Sequence, residues 1–126
     1  MKRALCRCRD GEMVGYDEPV WEPLLGVVGE RLTGTFMCMY MVHLENGIVL
    51  HAYKHIYTRC YLFLTDGGRA YSWTPCQRYA PMRLDWAIEA ALCSWWLLDG
   101  WDADDAAAIH DAIRRANRTA SRYNGV

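Results

Sequence analysis

The sequence predicts an α+β fold, an antiparallel β-meander of about four strands followed by a two-helix hairpin packed on one face. Strand-like runs in the middle of the chain alternate with tight-turn signals at Asn46-Gly47 and Asp66-Gly67. The last third instead carries apolar residues at helical spacing. A chain of 126 residues fits a single domain, which we divide into an irregular arm (1–30), the β-meander (33–74) and the helical hairpin (82–120).

The N-terminal arm has no clear hydrophobic period. Glycines and prolines recur through it, and only residues 24–32 have the composition of a short helix. We therefore expect an irregular arm that contains at most one helical segment.

The β-meander begins near Thr35 with the run TFMCMYMVHL, which the turn ENG joins to IVLHAY. The third and fourth strands are RCYLFL and RAYSW, joined by the hairpin signal TDGG. Residues 48–64 are longer than a usual strand, so a bend is expected near 54–58. The segment TPCQRYAP (74–81) contains two prolines and is expected to connect the sheet to the helices.

The helical hairpin begins with residues 82–99. Two adjacent apolar stripes run along this helix, one of Leu84, Ile88, Leu92 and Trp95, the other of Trp86, Ala90, Cys93 and Leu97. The helix is therefore expected to be covered on more than one side. The last helix should start near Asp102, with aspartates in its first turn and arginines in its last turns, as the helix dipole favours.

Composition limits the class of protein. The chain is 52% hydrophobic with a net charge of −1, which favours a globule and gives no general attraction to nucleic acid or to an anionic membrane. The basic start is followed by acids rather than by an apolar run, and no apolar segment could span a bilayer. We expect no membrane partner, a cytoplasmic location (the host cytoplasm if phage-encoded), and reduced thiols at the 6 cysteines.

The Trp-rich segment CSWWLLDGW (93–101) supports our first hypothesis for function. Its three tryptophans cannot share one helix face, and tryptophan is favoured at the centre of protein interfaces. We expect a small non-enzymatic accessory protein that binds a protein partner or itself, as a phage or mobile-element factor acting on a host target. The expected interface residues are Trp95, Trp96, Trp101, Tyr57 and Arg59.

The stretch HAYKHIYTRCYLFL (51–64) supports an alternative. In an extended strand its odd-numbered side chains share one face, which would hold aromatic and cationic groups able to stack bases and contact phosphates. This hypothesis is binding of single-stranded nucleic acid through His51, Tyr53, His55, Tyr57, Arg59 and Tyr61. A packing layer is the competing interpretation, because Tyr and Phe are ordinary strand formers.

A zinc-binding protein is the third hypothesis. Cys6 and Cys8 form a C-x-C pair that a distant Cys or His could complete, although scattered reduced cysteines are more common. For catalysis, Cys60 with His51 or His55 is the one pairing worth testing, and no phosphate-binding or dinucleotide motif occurs. We therefore assign no catalytic residue, no metal ligand and no cofactor.

The stretch HAYKHIYTRCYLFLTDGGRAYSW resembles small proteins of actinobacteria and their phages. The predominance of Arg over Lys fits a GC-rich genome of that kind. The resemblance implies no named family, and it transfers no functional residue to this chain.

Overall fold

The structure is a computed structural model that describes residues 11–98 and 102–124. It is an α+β fold with a six-stranded antiparallel sheet and three helices. The strands are β1 (Glu12–Val14), β2 (Phe36–His43), β3 (Val49–His55), β4 (Tyr61–Leu64), β5 (Ala70–Trp73) and β6 (Tyr79–Met82). The helices are α1 (Glu22–Thr33), α2 (Leu84–Leu92) and α3 (Ala103–Asn124), and a 3-10 turn (Cys93–Leu97) continues α2.

The sheet is a meander, because each strand pairs with the next one along the chain. The turn after β2 forms where Asn46-Gly47 predicted it, with φ of 91° at Gly47 and a bond from its N–H to the carbonyl of Leu44. The α+β class is confirmed, but the strand count of about four was too low. Sequence reasoning omitted β1, which is three residues long, and β6.

The omission of β6 has a physical reason. The segment 74–81 was predicted to be a connection because of its prolines, yet Pro81 pairs with Tyr71 inside β6. A proline removes one donor from a ladder and is tolerated on an edge strand, and β6 is an edge of this sheet.

The bend predicted near residues 54–58 is a full reversal of the chain. The backbone N–H of Arg59 donates to the carbonyl of His55, and Arg59 has a positive φ of 65°. Across the reversal, Tyr53 pairs with Leu62 and Lys54 with Tyr61. Paired residues share a face of an antiparallel sheet, so odd-numbered positions of β3 face the same way as even-numbered positions of β4.

Helix α1 occupies part of the predicted arm. The short helix expected at 24–32 is confirmed, and it extends over Glu22–Thr33. Gly29 interrupts this helix with φ of 87°, a conformation that other residues adopt only at a cost. The predicted hairpin forms from α2 and α3, but α2 ends at Leu92 rather than continuing to 99.

The sheet has a helix face and a second face that none of the described helices covers, which we call the open face. The main core joins residues from all three helices to Phe36, Tyr53, Leu62 and Leu64 of the helix face. A second, smaller cluster lies on the open face around Val42, Leu50, Ala52 and Phe63. Ion pairs brace the helices, since Arg31 of α1 binds Asp105 of α3 at 2.9 Å.

Candidate functional site

The outer side of α2 carries a continuous apolar strip. Positions 86, 90 and 93 follow one another at helical spacing along α2 and into its 3-10 turn, and positions 97 and 98 are exposed at the end of that turn, while positions 87, 88, 91 and 92 face the core. We call this strip, with the adjacent leucine, the α2 patch: Trp86, Ala90, Cys93, Leu97 and Leu98. Trp86 is 56% exposed and Leu97 67%. The expectation that this helix is covered on more than one side is not met by the described part of the chain.

Charged groups lie beside the α2 patch without interrupting it. The guanidinium of Arg83 lies 4.8 Å from the centre of the Trp86 ring and is also paired with Asp85 at 2.9 Å. Partial burial and the nearby Glu89 carboxylate raise the pKa of the Cys93 thiol. A protonated thiol behaves as a small apolar group, so Cys93 belongs with the patch rather than with its charged border.

Trp95 lies on the opposite side of the same turn and belongs to the core. It is 2% exposed, its ring stacks on Tyr57 at 5.2 Å, and it meets the ring of His55 edge-on at 4.8 Å. Its prediction as an interface residue is therefore corrected, because its ring is already packed within the chain. Trp101 lies outside the described residues, and so does the side chain of Trp96.

Tyr57 and Arg59 are both exposed, in the turn between β3 and β4. The hydroxyl of Thr58, between them, donates to the carbonyl of Ala91 at 2.7 Å, which ties this turn to α2. Tyr57 is 46% exposed and covers Trp95. These two predicted interface residues thus lie on the surface next to the C-terminal end of α2.

The predicted nucleic-acid row does not form one surface. His51, Tyr53 and His55 are buried, with Tyr53 and His55 packed under the helices. Tyr61 instead lies on the open face beside Phe63, because the reversal after β3 exchanges the two faces. This part of the prediction is wrong: three of the six residues are inaccessible in the folded chain, and the row is a packing layer.

The open face holds a groove that the sequence did not predict. It has a volume of about 500 Å³, is open on one side, and is lined mainly by rings from β2, β4, β5 and β6. We call it the aromatic groove: Gly11, Met13, Tyr40, Val42, Tyr61, Phe63, Trp73 and Tyr79. A β-bulge between Cys38 and Tyr40 shifts the register of β2, which brings Tyr40 to the open face although Cys38 packs on the main core.

The walls of the aromatic groove are rings in contact with one another. Tyr61 and Phe63 lie nearly parallel, at 11° with centres 5.6 Å apart, and Trp73 packs on Tyr79 at 4.6 Å. The Lys54 ammonium lies 5.6 Å from the centre of the Tyr61 ring. The groove thus combines flat apolar walls with a cation at the Tyr61 end.

Sequence reasoning also missed a polar chain of three residues. His51 Nε2 is 2.6 Å from a carboxylate oxygen of Asp66, and Nδ1 of the same ring accepts a hydrogen bond from the Tyr16 hydroxyl. Burial and a hydrogen bond with Cys38 raise the pKa of Tyr16, so its phenol stays protonated at neutral pH. None of these residues lines the aromatic groove. These hydrogen bonds fasten the loop before α1 to the sheet. The three residues are too far apart in sequence for a motif to reveal them.

The metal and catalytic hypotheses gain no site from the described residues. The thiol of Cys60 contacts the carbonyl of Thr58 at 3.6 Å rather than either predicted histidine. Within 11–98 and 102–124, no three His, Cys, Asp or Glu side chains are grouped so as to hold a metal ion. Cys6 and Cys8 lie outside that part of the chain. No helix in the same ranges is long and apolar enough to cross a membrane.

Comparison with known proteins gives no relative. No family model, no curated protein and no solved structure matches this chain. Function is therefore inferred from the surfaces of the molecule.

Proposed function

We propose that the chain is a non-enzymatic protein that works by binding another protein chain through the α2 patch. The observation that carries the proposal is a tryptophan 56% exposed on α2 and a leucine 67% exposed on the 3-10 turn that follows it. Exposed apolar groups that are contiguous mark interaction sites more often than scattered ones, and tryptophan contributes strongly when an interface buries it.

The pattern of the α2 patch fits a second copy of the same chain. Two large residues, Trp86 and Leu97, flank two small ones, Ala90 and Cys93. An antiparallel pair of α2 helices would bring Trp86 of one copy towards the C-terminal end of α2 in the other, where Leu97 is exposed, with the small residues near the crossing point. Small residues there allow the helices to approach closely. The interface is the same patch on both copies, as a two-fold dimer requires.

Sedimentation velocity over about 1 to 100 µM tests this proposal. The wild-type chain should dimerise, and Trp86→Glu should be monomeric, because the dimer would bury an unpaired carboxylate. Trp73→Glu, on the open face of the sheet, is the matched control and should dimerise as the wild type does. A wild-type monomer at every concentration, or a dimer that survives Trp86→Glu, contradicts the proposal.

A host protein, the partner favoured by the sequence, would compete for the α2 patch. Addition of such a host protein should dissociate the dimer, and the dissociated fraction should rise with the concentration of the host protein. Cross-linking through Cys93 gives an independent measurement, since this exposed thiol lies next to the proposed two-fold axis. A short bismaleimide should join two copies of the wild type and none of Trp86→Glu.

A further inference from the structure

We infer that the aromatic groove binds a nucleobase that carries a phosphate, either as a free nucleotide or within single-stranded nucleic acid. This site lies on the open face of the sheet, and it is independent of the α2 patch. Base stacking and phosphate binding were predicted for the residues at 51–61. In this site, side chains of the open face would supply both interactions.

The size of the groove suits a ligand of this kind. Its 500 Å³ lies within the range of about 300 to 1,000 Å³ that is typical of small-ligand sites. Gly11 forms one rim, with φ of +84°, and a Cβ there would lie 2.5 Å from a methyl group of Val42. The backbone next to β1 thus approaches β2 closely at this rim.

The rings offer a flat surface for stacking. Tyr61 and Phe63 are stacked on each other with nearly parallel rings, and the ring of Trp73, 43% exposed at the other end of the groove, is the most accessible platform. A base has a π-face whatever its identity, and stacking on aromatic side chains contributes about 1–3 kcal/mol per base. Stacking of this kind does not distinguish one base from another, because it uses the face of the base and not the hydrogen-bonding groups at its edge.

The charge at the groove favours an anion over the other occupants of aromatic sites. The Lys54 ammonium lies over Tyr61, and none of the lining residues that the structure describes is acidic. A methylated lysine or another quaternary ammonium would be repelled by Lys54 and would find no carboxylate among the described lining residues. A proline-rich peptide, also suited to aromatic grooves, is neutral and gives the ammonium no partner. A phosphate next to a stacked base uses both features.

The test measures binding of two probes at about 50 mM salt. Fluorescence anisotropy follows a labelled dT oligonucleotide of about 12 nucleotides, and calorimetry follows AMP. Trp73→Leu should weaken binding of the favoured probe by about 5-fold or more, the loss of one stacking platform. Lys54→Gln should weaken binding, and the slope of log K against log salt concentration should fall by about the amount of one phosphate contact. Trp86→Leu and Arg59→Gln, outside the groove, are the matched controls and should bind as the wild type does.

The outcomes separate the two sources of the ligand. Binding of AMP with little gain from the oligonucleotide indicates a free nucleotide, and binding of the oligonucleotide alone indicates a single strand. Binding of neither probe at concentrations up to about 1 mM overturns the inference. So does binding that Trp73→Leu leaves unchanged, or binding of a proline-rich peptide in place of both probes. Dimerisation through the α2 patch is measured separately and does not depend on any of these results.

Discussion

Buried His55 should make the stability of the protein fall between pH 7 and pH 5. The ring is buried among Phe36, Trp95 and Tyr57, with ring centres 4.9, 4.8 and 5.7 Å away. Its Nδ1 accepts the N–H of Thr58, and Nε2 has no hydrogen-bond partner among the described residues. Burial lowers the pKa of His55 from 6.5 to about 4, against a small opposing effect of the Asp105 carboxylate.

The size of the effect follows from the two pKa values. In the unfolded chain the imidazole takes up a proton as the pH falls through 6.5, while in the folded chain it stays neutral until about 4. The unfolded state therefore binds more protons in this window, and acidification favours it. The free energy of unfolding should fall by about 2 kcal/mol from pH 7 to pH 5, and by about 3 kcal/mol in total below pH 4. The total free energy of unfolding of a small domain is about 5–15 kcal/mol, so this loss is a large part of it.

Urea unfolding followed by circular dichroism at pH 7 and pH 5 measures this difference. His55→Phe keeps an aromatic ring in the slot and removes the titrating group, so it should lose about 2 kcal/mol less than the wild type over the same interval. Its stability at pH 7 should also be lower, since the Thr58 N–H loses its acceptor. His110→Gln, exposed on α3, is the control and should follow the wild type. If His55→Phe loses as much stability as the wild type, the assignment of the pH dependence to His55 is refuted.

Two further substitutions test how the helices are held. Gly29→Ala should destabilise the protein by about 1–2 kcal/mol, because alanine is strained at a φ of 87°, whereas Gly26→Ala in the same helix has open space and should not; thermal unfolding of the pair decides it. Asp85→Asn should cost about 1.5–3 kcal/mol at pH 7, since the buried carboxylate joins Arg83 to Asn117 of α3. The pKa of Asp85 is lowered mainly by Arg83. The difference in free energy of unfolding between the wild type and Asp85→Asn should therefore shrink as the pH falls below about 4, the ordinary carboxylate range. A difference that persists at pH 2 would contradict this account.

Periodicity and turn chemistry predicted much of the fold. The hairpin at Asn46-Gly47 and the two C-terminal helices lie where local sequence placed them, because both features depend on residues close together in the chain. Strand β6 was missed because Pro81 signals a break everywhere except at a sheet edge. Which strand is an edge is a property of the whole sheet, and no local window contains it.

The candidate sites were harder to predict for a geometric reason. Sequence alternation assigns side chains to two faces, but it does not reveal where a reversal or a bulge exchanges them. The reversal at 56–60 moves Tyr61 to the face opposite Tyr53, and the bulge after Cys38 does the same for Tyr40. The rings of the aromatic groove come from four strands and are brought together only after both exchanges. The tryptophans have the same difficulty, since Trp95 and Trp86 lie on opposite sides of one helix and its continuation.

The two edges of the sheet also restrict what the protein can assemble into. β1 offers only three residues to an incoming strand, and β6 has lost one backbone donor to Pro81. Growth by adding strands, the route to fibres, is therefore disfavoured at both ends. In the proposed dimer each copy uses its α2 patch once, so the two-fold contact leaves no equivalent patch for a third copy. Together with the proposed two-fold dimer, these edges favour closed complexes over open-ended polymers.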